Sequence, residues 1–242
     1  MREHIESLVE YVRYLKELGY EGFPAPPVPT TTESGHVGLQ GTRDLSLENI
    51  RLAVSDCSRC RLGETRTNTV PGEGCHSASL MFIGEAPGYD EDREGRPFVG
   101  RAGRLLTDII GAMGMRREDV FIANVVKCRP PGNREPGEDE IRACSPYLFS
   151  QIDVIKPRII VTLGRYSTAT MLGLPPQMRI SDMRGRFFHY KGIKVMPTFH
   201  PAYLLRNEKD KRLVWDDMKL VVHELGMQVP TRPVKGQGSG TG

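Results

Sequence analysis

Leu80-Met81-Phe82-Ile83-Gly84-Glu85-Ala86-Pro87-Gly88 is a run of four apolar residues that stops at a glycine and an acid. Four apolar residues without polar alternation suit a strand buried on both faces, as in a parallel sheet. Outward from it, similar apolar runs return at residues 120–126, 159–163 and 195–199, each ending in a polar loop. Between these runs the apolar positions change to steps of three and four. Residues 102–113 put Leu105, Leu106, Ile109, Ile110 and Met113 on one face, and 138–155, 166–172 and 209–225 read as further helices. The helix that starts at Glu138 follows Pro136 and opens on Glu138-Asp139-Glu140, which suits its positive N-terminal end. A shorter helix is expected at 45–54. Strand–helix alternation at this spacing predicts an α/β fold, with a parallel sheet covered on both faces.

In such folds ligands collect in the loops beyond the carboxyl ends of the strands. Glu85 follows the first run, Asn124 closes the second and His200 follows the fourth. Singly, each is more often a turn former or a satisfied structural residue. Together they place an acceptor, an amide and a titratable donor on one rim. Gly95-Arg96-Pro97-Phe98-Val99-Gly100-Arg101-Ala102-Gly103 opens a helix but lacks the Gly-Lys-Ser/Thr ending of a phosphate-binding loop, and no dinucleotide fingerprint follows the first strand. It either holds Phe98 on a rigid loop beside the pocket or sends that ring into the core. No Gly-x-Ser-x-Gly elbow is present, which disfavours a hydrolase of that kind.

The chain has 242 residues, ample for a core, and 33 Lys+Arg against 30 Asp+Glu leave a net charge of only +3. That balance argues against a purely electrostatic nucleic-acid binder. A local basic face is still expected, from Arg179, Arg184, Arg186, Lys191 and Lys194 against Asp182, flanked by Lys127, Arg129 and Arg134. No run approaches the ~18 apolar residues of a membrane span. The N-terminus lacks a signal-like apolar stretch, so a cytoplasmic protein without membrane contact is expected. Five cysteines in such a chain point to thiol chemistry or a metal. Cys57-Ser58-Arg59-Cys60 is one pair, Cys128 and Cys144 a wider second, and Cys75 is left over. Four thiolates suit zinc or an iron–sulfur cluster, and spacing alone does not choose. The expected organisation is an N-terminal amphipathic helix (1–22), a Pro/Thr/Gly-rich linker (23–43), a main domain (44–226) and a disordered tail (227–242).

Gly84-Glu85-Ala86-Pro87-Gly88, Gly95-Arg96-Pro97-Phe98-Val99-Gly100, Asn124 with Lys127-Cys128-Arg129-Pro130-Pro131, and His200-Pro201-Ala202-Tyr203-Leu204-Leu205-Arg206 together resemble the family 4 uracil-DNA glycosylases of the uracil-DNA glycosylase superfamily. The resemblance covers residues 44–225. It implies a three-layer α/β/α sandwich on a short, mostly parallel four-stranded sheet, and a [4Fe–4S] cluster on Cys57, Cys60, Cys128 and Cys144. It further implies a monomeric base-excision-repair enzyme that hydrolyses uracil from single- or double-stranded DNA. Glu85, Asn124 and His200 would be catalytic. Gly84, Ala86, Gly88, Glu91 and Phe98 would complete the uracil pocket, with Glu91 guarding against thymine's methyl group. Tyr203, Leu204, Leu205 and Arg206 would fill the gap left in the base stack. Family 1 enzymes carry an Asp and a Tyr where this chain has Ala86 and Gly88, so the residue that positions water is open, with Glu85 the candidate. A cluster-bearing DNA-binding protein without turnover, and a zinc-stapled domain for protein contacts, are the competing readings. Residues 1–43 lie outside the resemblance. Their helix either packs on the core or docks a replication or repair protein.

Overall fold

All five residues of Leu80–Gly84 are buried, as are those of Phe121–Asn124 and Ile159–Leu163, so these runs form the covered interior of a sheet. The computed structural model describes residues 45–229; the expected N-terminal helix, the linker and most of the expected tail lie outside the described residues. Strands β1 (Glu73–Gly74), β2 (Leu80–Gly84), β3 (Phe121–Asn124), β4 (Ile159–Leu163), β5 (Phe188–Tyr190) and β6 (Ile193–Thr198) form one sheet of order β1-β3-β2-β4-β6-β5. The inner four are parallel and are the four runs read from the sequence, whereas β1 and β5 add antiparallel edges. The expected four-stranded sheet is therefore a six-stranded one. Its edge strands have two and three residues, too short to show a period. Lys191 and Gly192, both at positive φ (47° and 81°), make the tight turn joining β5 to β6.

The helices are α1 (Leu47–Ser55), α2 (Tyr89–Glu94), α3 (Arg101–Ala112), α4 (Glu138–Ile155), α5 (Arg165–Leu172), α6 (Ile180–Met183), α7 (Pro201–Leu204) and α8 (Lys211–Glu224). Alternate residues of β2 feed two separate cores. Met81 and Ile83 pack with Ile50 and Val54 of α1 and with Leu148 and Ile152 of α4. Leu80 and Phe82 pack with Leu106 and Ile110 of α3 and with Met218 and Val222 of α8. The result is the expected three-layer sandwich. Ser46 caps α1 by accepting from the Asn49 amide at 3.2 Å, which sets its start two residues later than the periodicity suggests. α8 likewise starts late, because Glu208–Asp210 forms a separate 3-10 turn. Among the described residues no helix is long and apolar enough to cross a membrane.

A buried carboxylate fixes the outer end of β6. Asp217 of α8 accepts from the Thr198 hydroxyl at 2.6 Å and from Arg184 at 2.7 and 3.1 Å. Breaking such a pair by removing one partner typically costs about 3–5 kcal/mol, so the exit of the chain towards His200 is held firmly.

Candidate active site

The carboxyl ends of the strands open on a cleft of about 430 Å³ whose walls include Glu85, Phe98, Asn124 and His200. Its floor is set by strand register. Gly84 and Asn124 are cross-strand partners, so any side chain at 84 would compete with the Asn124 amide. A Cβ on Gly84 would lie 2.4 Å from Asn124 Oδ1 and 2.5 Å from Phe98 Cζ. Asn124 is 1% exposed, and its Oδ1 has no hydrogen-bond partner among the described residues. An unmet buried acceptor of this kind costs about 1–3 kcal/mol, a cost that a ligand donor would remove. Its backbone is pinned from below, where Lys127 Nζ donates to the Asn124 carbonyl and to Gln151 Oε1, both at 2.8 Å. Lys127 is thus fully buried and contributes nothing to a basic face.

Phe98 is both core and pocket wall. It is 6% exposed, sits at φ 52° and faces the His200 ring at a centroid separation of 5.6 Å. A left-handed backbone at a bulky residue stores on the order of 1–3 kcal/mol and persists only where neighbours impose it. Three features impose it. Arg117 Nη1 donates to the Phe98 carbonyl at 3.1 Å while its Nη2 holds the Pro97 carbonyl. Arg117 is itself fixed by Glu73 of β1, at 2.7 Å from Nε. Gly103 of α3 lets the Phe98 carbonyl lie where a Cβ would meet it at 2.0 Å. Finally, Glu91 accepts from the amides of Gly88 (3.1 Å), Val99 (2.9 Å) and Gly100 (3.0 Å), tying the β2 exit to the Phe98 loop. The Gly88 amide is therefore committed to Glu91 and is not a free donor to the cleft. Nothing in the sequence marked Arg117 or Glu73, because Arg117 holds backbone carbonyls and Glu73, which accepts from Arg117 and Arg96, lies 44 and 23 residues from them.

His200 caps α7, and its Nδ1 accepts from the Ala202 amide at 3.1 Å. Burial, reinforced by the positive charge of Arg206, pushes its pKa down to about 4. The ring is therefore neutral near pH 7, and with Nδ1 accepting, its proton is on Nε2. Glu85 is the opposite case: burial, with the nearby Glu135 carboxylate, raises it to about 7 against partial relief from Arg165. Ala86 and Gly88 line the same cleft, as do Tyr203 and Arg206. Tyr203 stacks on Phe199 at 4.8 Å and donates to Asp210 at 2.7 Å. Leu204 corrects an expectation. It is fully buried in the core beside α3 and α8, because the chain turns into α7 directly after His200. Leu205 is half-buried and Arg206 exposed, so of the residues expected to fill the base stack Leu204 alone is withdrawn from the surface.

Cys57, Cys60, Cys128 and Cys144 converge on one small pocket behind β3, walled by Arg66 and Tyr147. Arg66 Nη1 lies 3.3 Å from Cys128 Sγ, and the Lys127 amide donates to Cys144 Sγ at 3.2 Å. Among the described residues, no three His, Cys, Asp or Glu side chains converge closely enough to hold a single metal ion. Cys75 stands apart, 3.5 Å from the Ser77 hydroxyl. Glu140, with no exposed side-chain surface, links this pocket to the cleft. It accepts from Arg61, next to Cys60, at 3.1 Å and from the cleft residue Arg134 at 2.6 and 2.8 Å. The expected basic face is largely neutralised, since Arg184 pairs with Asp217, Lys191 with Asp153 and Lys194 with Glu224.

Gly84→Ala puts a methyl group into the closest packing of the cleft. The expected result is a loss of about 1–3 kcal/mol of unfolding free energy in urea titration. An unchanged midpoint would mean that Asn124 and Phe98 are free to move aside.

Comparison with known proteins follows the same residues. The sequence model of the uracil DNA glycosylase superfamily matches residues 71–219. The type-4 uracil-DNA glycosylase of Sulfurisphaera tokodaii is 51% identical over 183 residues, covering 73% of this chain and 83% of the relative. That of Thermotoga maritima is 45% identical over 181 residues (74% and 94%), and that of Archaeoglobus fulgidus 41% over 192 (77% and 96%). A match over most of the core, shared with relatives covered almost end to end, means that this chain belongs to the uracil-DNA glycosylase superfamily, among its type-4 members.

Proposed function

We propose that this protein is a DNA-repair uracil-DNA glycosylase whose catalytic domain is residues 44–226, and that it turns a flipped uracil into the cleft and hydrolyses its bond to deoxyribose. The observation that carries the reading is the unpartnered Asn124 Oδ1 on the cleft floor. Uracil's N3–H supplies the missing donor and its O4 accepts from the Asn124 amide nitrogen, whereas cytosine presents an acceptor and a donor at those positions. Extrusion costs a few kcal/mol, least for an unpaired base, so single- and double-stranded DNA both serve. Phe98 stacks on the base. Leu205 and Arg206, with Tyr203, occupy the vacated stack. Ala86 and Gly88 leave room beside the ring, and the clamped Glu91 is a fixed wall against thymine's methyl group.

Hydrolysis breaks the C1′–N1 bond, and the electron pair leaves with uracil. Neutral His200 donates from Nε2 to the oxygen that gathers this charge, which costs no deprotonation of an imidazolium. Water adds to C1′, and its proton passes to the Glu85 carboxylate, one residue before Ala86, which stands in place of the water-positioning Asp of family 1. Cys57, Cys60, Cys128 and Cys144 would hold a [4Fe–4S] cluster. Four thiols lining one pocket, with an N–H donor aimed at each of two sulfurs, are the donor chemistry that an iron–sulfur cluster uses. When bound, such a cluster cross-links the loop after α1 to the exit of β3 and to α4. The enzyme would work as a monomer inside the cell, and residues 1–43 are left for packing on the core or docking a repair or replication protein.

The protein is expected to make a uracil-containing oligonucleotide alkali-labile, with Asn124→Ala slowing release by about 100-fold or more. Full activity in that variant, or none in the iron-replete wild type, removes the reading. The single-turnover rate is expected to rise with pH through about 7 and level off above it, since the accepting form of Glu85 is the carboxylate. Glu85→Gln flattens this profile, and a rate that falls through pH 7 would make Glu85 an acid instead. Elemental analysis should find about four irons per chain, lost in Cys128→Ser together with thermal stability.

A further inference from the structure

Among the described residues, Arg93 and Arg129 beside the cleft mouth have no carboxylate partner, a state they share with Arg206 on the cleft wall. Tyr89, the first residue of α2, is 52% exposed, an unusual position for a large ring beside a pocket. Arg93 lies over it at 5.7 Å from the ring centroid and Arg129 at 5.0 Å. Arg129 is fixed on its other side by Asn133, whose Oδ1 accepts from Nε at 2.7 Å and which sits at φ 55° in the turn after Pro131. Among the described residues neither guanidinium lies within ion-pair distance of an acid, although α2 carries four. Those acids face elsewhere. Glu91 is committed to three backbone amides, Asp92 accepts from the amides of Thr67 and Asn68, Asp90 lies against Gly100, and Glu94 is exposed with no arginine within ion-pair distance among the described residues. Gly88 and Pro130, the neighbours of Tyr89 and Arg129, both line the cleft.

We infer that Tyr89, Arg93 and Arg129 form a subsite for the phosphodiester backbone of the strand whose base enters the cleft. This rests on the uracil-DNA glycosylase reading and deepens it. An exposed ring holding two guanidiniums costs the molecule solvent-exposed apolar area but pre-orders two cations that are otherwise flexible. Guanidinium matches phosphate in a bidentate fork, and each neutralised phosphate releases condensed counterions. The subsite supplies local positive charge next to the cleft, whereas Arg184, Lys191 and Lys194 of the 179–194 face are already paired.

The test is binding of the full, cluster-loaded protein to undamaged single- and double-stranded oligonucleotides across a sodium chloride series. Undamaged DNA makes the result independent of base release. Replacing Arg93→Ala or Arg129→Ala is expected to flatten the slope of log K against log salt by about 0.7–0.9 each and to weaken binding about fivefold to tenfold at 0.1 M. KM for a uracil-containing strand rises by a similar factor. Tyr89→Phe keeps the ring and the wild-type affinity, while Tyr89→Leu, which frees both guanidiniums from the phosphates, loses severalfold together with part of the salt slope. An unchanged salt slope in the double arginine variant overturns the inference. So does Tyr89→Leu weakening binding with the slope intact, which would make the ring a base-stacking platform. If the wild type shows the expected slope but never releases uracil, the activity reading fails and the phosphate subsite stands.

Discussion

The cross-strand pairing of Gly84 with Asn124 is the constraint on which the site depends. Parallel register puts the ends of β2 and β3 side by side, and the absence of a Cβ at 84 leaves space that the Asn124 amide and the Phe98 ring share. Close packing then leaves Asn124 Oδ1 with no protein partner. Three walls of the cleft follow from that arrangement: Phe98 beside the acceptor, His200 facing Phe98, and Glu85 directly after Gly84.

Several of these groups are held in states that cost free energy. Asn124 has an unmet acceptor, Phe98 a left-handed backbone, His200 a half-buried ring kept neutral and Glu85 a carboxyl pushed to about 7. Buried and half-buried polar hubs outside the cleft offset this. Glu73 with Arg117 holds the Phe98 loop, Asp217 with Arg184 and Thr198 holds the end of β6, and Lys127 with Gln151 holds the Asn124 backbone. Glu140 joins Arg61 of the cysteine pocket to Arg134 of the cleft, so ordering either region supports the other. Rigid support behind a strained site is what allows pre-oriented donors to act without reorganising.

Much of this was legible in the chain, for identifiable reasons. The four inner strands are continuous apolar runs because both faces are covered, and the helices show their stripes because each packs on one side only. Glu85, Asn124 and His200 were legible because polar residues directly after buried strands have only the rim to occupy. The edge strands β1 and β5 were not, being too short for a period, although the positive-φ turn at Lys191-Gly192 carried a weak signal. Leu204 looked like an exposed wedge until the turn into α7 carried it into the core.

The sequence by itself determined the layered α/β plan, the rim residues and the set of four cysteines, since these follow from local periodicity and from residue chemistry at strand ends. Only the tertiary structure decided which charges are free and which are spent. Arg117, Arg184 and Glu140 act through partners tens of residues away, or through Arg134 six residues off. Arg93 and Arg129 are left without acids because Glu91 and Asp92 of α2 turn towards backbone amides and Asp90 towards Gly100. Composition counts charges, but pairing depends on distances of a few ångströms that only the folded chain sets.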